Sequence, residues 1–187
     1  FELLMLFAFI SLLAAEPVPG VNETHYLPKA KHTLDATFAA NDLFIQSHDS
    51  HLLSAGLAGC LTRFMPLTAA AWIGRALCWL FMAWSWRQLR ISIGLPMVFG
   101  VFALAAWYFA TKYGHWAGEW AIGGFEGKSL AYPCVLVAFA EVFRGNWSRV
   151  WLWLGTAVAW HPVAGGWAGM SFAIAWLCAP ARVHRAV

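Results

Sequence analysis

A series of long apolar stretches constrains this chain more than any other feature. Six of them are present, at 1–15, 66–86, 94–111, 129–143, 147–161 and 163–179. A membrane-spanning helix takes about 20 residues, so the second and third stretches are long enough, whereas the last three need tilting or a locally thinner bilayer. Charged residues make up only 11% of the chain, compared with about 25% in a soluble domain. We therefore predict an all-α fold, a polytopic bundle of transmembrane helices forming a single domain.

Basic residues indicate how such a bundle would be oriented. Pairs of arginines follow the second, fourth and sixth stretches, as Arg87 and Arg90, Arg144 and Arg149, and Arg182 and Arg185. Because an even number of crossings separates these pairs, one topology places all of them in the cytoplasm, in agreement with the positive-inside rule. The connections on the other side then carry seven of the nine acidic residues. This charge segregation favours that topology.

Loop 16–50 is the first connection on the acidic side, and it is too long to be a simple connector. It contains apolar anchors, and Pro28 is placed to open a short helix. The apolar segment 51–64 ends before Pro66 and holds Arg63, which is typical of an interfacial or re-entrant helix. We predict a long extracytoplasmic loop that carries short interfacial helices.

The chain begins at Phe1, inside an apolar stretch. We expect a truncated first span and a fragment of a longer multi-span protein. A secretory signal is the competing interpretation, because Ala14-Ala15 resembles a cleavage site. The missing basic region ahead of the apolar stretch favours the first interpretation.

The densest cluster of polar residues is Asn22-Glu23-Thr24-His25-Tyr26, just beyond the first stretch. A carboxylate at the boundary of a low-dielectric region can act as a general base on a hydroxyl group. The alternative is a solvated loop start with a helix cap.

A first span followed by this acidic motif, with Asp42 further along the same loop, resembles the GT-C superfamily of integral-membrane glycosyltransferases. The motif is similar to the Asp-Glu-x-x-Tyr type found there, and the layout resembles that of bacterial multi-span proteins. The resemblance implies an inner-membrane enzyme that takes a sugar from a polyprenyl-phosphate donor at the extracytoplasmic face. It implies that Glu23 is the catalytic base and that Asp42 is a second base or a metal partner. Asn22 departs from the family pattern, so either Glu23 has taken over the role of the Asp usually found there or the activity is altered.

Arg75 lies about nine residues into the stretch 66–86. A charge at this depth costs about 2.5 kcal/mol or more, so it usually faces a polar cavity or a partner. We expect it to contact the phosphate of a lipid-linked donor, for which a guanidinium group is well shaped. Pairing with Glu119 or Glu126, or snorkelling, is the alternative.

Five further side chains are candidates for binding the substrate or its lipid phosphate. Glu119, Glu126 and Lys128 belong to a connection rich in aromatic and glycine residues, the composition of many sugar-binding sites. His161 ends a span on the same side of the predicted bundle. His25, in the acidic motif, is predicted to join this substrate-binding and lipid-phosphate-binding group. The alternatives are an aromatic belt with paired charges for the loop and a helix cap for His161.

The predicted partners are membrane lipid and the polyprenyl-phosphate-linked sugar, and no nucleic acid, because the basic residues are scattered. A divalent metal is possible, since loop 16–50 and the residue after it provide ligand types at His25, His32, His48, Asp49 and His51, but their spacing fits no recognised site. Two other functions remain open. One is a transporter or channel, with Arg75, Glu119 and Glu126 along its path; the other is a membrane subunit without catalysis, whose outer loop would be exposed.

Overall fold

The computed structural model describes residues 1–20, 22–47, 51–114 and 120–179. Within these ranges the chain is 78% helical and contains no strand, so the all-helical prediction is confirmed. The helices are α1 (Glu2–Ala14), α2 (Glu23–Leu34), α3 (Leu43–Gln46), α4 (Leu52–Phe64), α5 (Leu67–Ser92), α6 (Met97–Tyr113), α7 (Gly127–Phe143), α8 (Trp147–Trp160) and α9 (Pro162–Leu177).

Each of the six apolar stretches overlaps one helix: α1, α5, α6, α7, α8 and α9. α5 is longer than expected and continues through Arg87 and Arg90 to Ser92. Ion pairs with Glu2 at 3.2 Å and 2.7 Å partly neutralise these arginines. Of the helices described, α5 is the one whose length and composition alone would allow it to cross a membrane.

The turns that follow α5 and α7 have the same backbone hydrogen-bonding pattern. Gly94 ends α5 and Gly145 ends α7, with φ angles of 69° and 77°. In each turn the glycine N–H and the next N–H donate to carbonyls of the last helical turn, as Leu95 does to Arg90 and Asn146 to Glu141, both within 3.0 Å. This is the Schellman arrangement, which requires a left-handed residue and so favours glycine. Both turns reverse the chain within a few residues.

The prediction that Pro28 opens the helix in loop 16–50 is wrong, because α2 begins five residues earlier at Glu23 and Pro28 lies inside it. The structure explains the early start by the tertiary contacts of Glu23, a buried residue held by groups from other parts of the chain. Such packing can outweigh the loss of one backbone hydrogen bond at an internal proline.

Four apolar clusters hold the described helices together. One joins α1, α5 and α6, a second joins α2, α4 and α5 with Phe125, a third joins α7, α8 and α9, and a smaller fourth joins α7 and α8. α5 also packs along α7. α5 and α7 are therefore the central elements, and the polar groups near their ends are placed by the cores on both sides.

Charged side chains collect at the two ends of the bundle. The basic end is formed by Glu2, Arg87, Arg90, Glu141, Arg144 and Arg149, which are linked by ion pairs. The acidic end is formed by Glu16, Glu23, Arg75, Lys112, Glu126 and Lys128. The arginine pairs after the second and fourth stretches thus lie at one end, while Arg182 and Arg185 lie outside the described residues.

Candidate functional site

A cavity of about 230 Å³ opens at the acidic end of the bundle. It lies between the end of α1, the first turns of α5, the last turns of α6 and the loop before α7. Its lining comprises Ala14, Glu16, Gly20, Asn22, Glu23, Arg75, Tyr108, Lys112, Trp120, Ile122, Gly123, Gly124 and Glu126. Three carboxylates and two cations therefore share a small space with two aromatic rings.

Glu23 and Arg75 form a bidentate ion pair at the inner wall of this cavity. Arg75 Nε donates to Glu23 Oε1 at 2.8 Å, and Arg75 Nη2 donates to Glu23 Oε2 at 2.6 Å. The side chains are only 1% and 2% exposed. A charged pair so far from water needs further hydrogen bonds to be stable.

The remaining polar atoms of this pair are satisfied by the backbone. The Gly20 N–H donates to Glu23 Oε2 at 2.7 Å, and the Phe125 N–H donates to Glu23 Oε1 at 2.8 Å. Arg75 Nη1 donates to the Glu16 carbonyl at 2.6 Å, and Nη2 also reaches the Pro17 carbonyl at 3.3 Å. The pair thus ties α2 and α5 to the segments on either side of the cavity.

Burial acts to raise the pKa of the Glu23 carboxyl group. The hydrogen bonds from Arg75, Gly20 and Phe125, with the positive charge of Arg75, outweigh it and hold the pKa below the ordinary value of 4.5. A carboxylate that is this well stabilised is a weak proton acceptor. The geometry therefore favours a structural role for Glu23 over the predicted role of base.

Arg75 does face a carboxylate partner, as one of the sequence interpretations required. The partner is Glu23 rather than Glu126, and Glu119 lies outside the described residues. The guanidinium carbon also lies 5.3 Å from the centroid of the Trp72 ring. Because the donors of Arg75 are directed to Glu23 and to two carbonyls, the phosphate contact predicted for it stays a prediction that this geometry does not favour.

Glu126 is the second buried carboxylate in the cavity wall, with its side chain 4% exposed. Asn22 Nδ2 donates to its two oxygens at 3.1 Å and 3.4 Å. Lys128 Nζ lies 3.8 Å from Oε2 and 4.1 Å from the centroid of the Trp120 ring. Glu126 also precedes the first residue of α7, where the helix dipole stabilises a negative charge. The acidic motif and the loop before α7 thus meet through Asn22 and Glu126.

The mouth of the cavity holds a group that the sequence analysis did not identify. Lys112 Nζ donates to Glu16 Oε1 at 2.5 Å and to the Tyr108 hydroxyl at 3.0 Å. Tyr108 in turn donates to the Leu13 carbonyl at 2.6 Å. A tyrosine and a lysine four residues apart occupy one face of a helix, so their spacing at the C-terminal end of α6 was a usable signal.

The other predicted site residues are not part of this cavity. Asp42 is exposed and caps α3, accepting from the N–H groups of Phe44 and Ile45. His25 is exposed and packs its ring edge to face against Phe44, 5.4 Å between centroids. His161 caps α9 by accepting from the Ala164 N–H at 3.1 Å, and its ring lies 4.8 Å from that of His51. For His161 the alternative of a helix cap describes the geometry, and the capping role of Asp42 was not predicted.

The described part of the chain contains no group of three His, Cys, Asp or Glu side chains close enough to hold a metal ion. His32 Nδ1 lies 2.7 Å from the Phe38 carbonyl, and His51 packs against Tyr26 and His161. His48 and Asp49, which belonged to the predicted set of ligand types, lie outside the described residues.

Comparison of the chain with protein-family models, with curated proteins and with solved structures finds no match. The resemblance to GT-C glycosyltransferases therefore rests on the sequence motif and on the layout of the apolar stretches alone.

Proposed function

We propose that the chain is a polytopic membrane protein in which the six long apolar helices span the bilayer. Large apolar side chains point away from the bundle along several of these helices. On α6 and α9 the exposed fractions reach 69% at Phe102 and 67% at Trp167. Soluble monomers rarely expose contiguous apolar surface of this kind. Hydrocarbon around the middle of the bundle, with water at its two charged ends, explains this distribution.

Helix length is compatible with that arrangement. The five helices other than α5 have 13 to 17 residues, which corresponds to roughly 20–26 Å. This is shorter than a hydrocarbon core of about 30 Å, so local thinning of the bilayer would accompany them. α5, with 26 residues, reaches across without such thinning.

Cysteine labelling tests the topology. In a background in which the exposed Cys60 and Cys178 are replaced by serine, Ala36→Cys in the acidic loop should react with a membrane-impermeant maleimide on intact spheroplasts. Ser148→Cys, beside the arginines of the basic end, should react only after permeabilisation. The reverse pattern would invert the topology, and equal labelling of both positions without permeabilisation would argue against a membrane barrier between them.

We further propose that the cavity at the acidic end binds a sugar carried on a polyprenyl phosphate and that the protein is a GT-C-like glycosyltransferase. The observation that carries this proposal is the position of Glu126 in the wall of a cavity that Trp120 also lines, within hydrogen-bond distance of Asn22. Aromatic faces pack against the apolar faces of sugar rings, while carboxylate and amide groups bind their hydroxyls. The cavity is at the end of the bundle where a donor whose lipid lies in the bilayer can present its head group.

In this proposal Glu126, rather than Glu23, is the general base. An acceptor hydroxyl attacks the anomeric carbon as the bond from that carbon to the phosphate oxygen breaks. The electron pair of that bond leaves with the phosphate, and the hydroxyl proton passes to Glu126. In this step the hydroxyl binds the Glu126 carboxylate next to Asn22 and Lys128. Glu23 and Arg75 then hold the walls of the cavity in place.

The transporter alternative is less well supported by the cavity. Every described residue of its lining belongs to the acidic end, from Ala14 at the end of α1 to Glu126 before α7. A substrate path would need polar groups along the middle of the bundle. The core in that middle region is instead built from apolar residues such as Met82, Leu104 and Val137.

Donor binding tests the proposed substrate class. Trp120→Ala should weaken binding of a glycosylated polyprenyl phosphate by about tenfold, because it removes an aromatic contact with the sugar. Binding of the same polyprenyl phosphate without a sugar should change little. Both are measured by titration of the protein in detergent micelles, with Trp167→Ala on the exposed face of α9 as the matched control. Equal losses for the two lipids, or an equal effect of Trp167→Ala, would contradict a sugar contact at Trp120.

A further inference from the structure

A second groove lies at the basic end of the bundle, between α5, α7 and α8. Its volume is about 360 Å³. Its polar wall is formed by Gln88, Glu141, Arg144 and Arg149, and its apolar wall includes Trp84, Leu152 and Trp153. This groove is separate from the proposed sugar cavity, because it lies at the opposite ends of α5 and α7.

The polar wall carries an excess of positive charge. Arg144 Nη1 donates to Glu141 Oε1 at 2.6 Å, and its Nη2 donates to Gln88 Oε1 at 2.8 Å. Arg149 Nη1 is 4.0 Å from Glu141 Oε2, and its side chain is 67% exposed. The same Glu141 oxygen accepts a hydrogen bond from Asn146 at 2.8 Å. One carboxylate thus faces two guanidinium groups, and the charge of Arg149 is the less compensated of the two.

The apolar wall runs from the groove onto the outer surface of the bundle. The rings of Trp84 and Trp153 lie 6.0 Å apart between centroids, at an angle of 49°. Leu152 beside them is 66% exposed. Tryptophan is the side chain most typical of the boundary between head groups and acyl chains. An amphipathic molecule could therefore place a charged group at Arg149 and its chains along Trp153 and Leu152.

We infer that this groove binds the head group of an anionic phospholipid. The inference rests on the proposed membrane location but not on the proposed glycosyl transfer. Glu141 carries one negative charge against the two positive charges of Arg144 and Arg149. The phosphate of a head group that has no positive charge would neutralise the remaining positive charge, and a guanidinium group is well shaped to bind it. A zwitterionic head group would bring a second positive charge next to Arg149 and Arg144. Charge complementarity thus selects an anionic lipid such as phosphatidylglycerol, and basic pockets between helices on the cytoplasmic side bind such lipids in other membrane proteins.

Native mass spectrometry of the full chain, released from detergent in an equimolar mixture of phosphatidylglycerol and phosphatidylcholine, tests this inference. The unaltered protein should retain one phosphatidylglycerol in preference to phosphatidylcholine. Arg149→Gln should lower that preference by about fivefold, the effect expected for one arginine near an anionic head group. Arg149 is exposed, so this substitution should leave the fold intact. Arg63→Gln, which removes an equal charge from an exposed site on α4, should leave the preference unchanged.

Three results would overturn the inference. One is equal retention of the two lipids by the unaltered protein, and another is an equal effect of Arg63→Gln and Arg149→Gln. The third is displacement of the retained lipid by inorganic phosphate, which would identify a site for the free anion. Recovery of the protein in the soluble fraction without detergent would instead contradict the membrane location itself, so the two failures are distinguishable.

Discussion

Breaking the buried ion pair should cost a large part of the stability of this protein. Glu23→Gln and Arg75→Gln, each made alone, are expected to lower the free energy of unfolding by about 3–5 kcal/mol. Each change leaves the other group charged, almost completely buried and without its bidentate partner. In Glu23→Gln the backbone donors at Gly20 and Phe125 would also lose the carboxylate that they bind. Denaturant titration in detergent micelles, followed by circular dichroism, measures the effect.

The exposed pair at the mouth of the same cavity provides the control. Lys112 and Glu16 are 30% and 57% exposed, so Glu16→Gln should cost only about 0–1 kcal/mol. The double variant Glu23→Gln/Arg75→Gln should lose less than the sum of the two single losses, because the groups interact directly. Losses at Glu23 as small as the loss at Glu16, or additive losses in the double variant, would show that the pair does not hold the fold together.

The same pair gives an expected pH dependence. The folded state holds the pKa of Glu23 below its ordinary value of 4.5, so the unfolded chain binds a proton there more readily than the folded one. The stabilisation is therefore fully present above pH 4.5 and decreases as the pH falls through and below that value. Glu23→Gln should lose this part of the acid dependence, whereas Glu16→Gln should keep it.

The sequence was sufficient to locate the long helices because their signal is local. The six apolar stretches coincide with α1 and α5 to α9, and the arginines after the second and fourth stretches meet at one end. Loop 16–50 was less predictable. The proline at position 28 indicates a helix start from local rules alone, but the position of α2 is set by contacts of Glu23 with residues more than 50 positions away.

The sequence predicted which residues belong to the site better than it predicted which of them pair with each other. Glu23, Arg75 and Glu126 do line one cavity. All three could be predicted as site residues because each is a charge next to or within an apolar stretch. Which carboxylate pairs with Arg75 depends on how the loop before α7 folds back over α2. Gly124 permits that approach, because a Cβ atom there would lie 3.0 Å from the Glu23 carboxyl carbon. A long-range contact of this kind leaves no characteristic spacing in the sequence, so the pairing of Glu23 with Arg75 was not predicted, and the interpretation of Glu23 as a base stays a prediction.

Replacement of Glu126 should have the largest effect on activity. In membranes from cells that express each variant, Glu126→Gln is expected to reduce sugar transfer from a polyprenyl-phosphate donor by about 10²–10⁴-fold, the usual contribution of a general base. The amide keeps the size of the side chain and can still bind Asn22, but it cannot accept the proton of the acceptor hydroxyl. Affinity for the donor should therefore change much less than the rate at saturating donor.

Two variants separate this chemistry from a general loss of structure. Glu16→Gln removes an equal charge from the mouth of the same cavity and should keep most of the transfer rate. Glu23→Gln should lose activity together with stability, and lowering the assay temperature should restore part of it, because its effect acts through folding. Glu126→Gln also removes the carboxylate that lies 3.8 Å from the buried Lys128 ammonium, so it should lose some stability, but it should be inactive at the lower temperature, where it is folded. Transfer by Glu126→Gln at the unaltered rate would remove Glu126 as the base, and temperature-dependent rescue like that of Glu23→Gln would assign it to the structural framework instead.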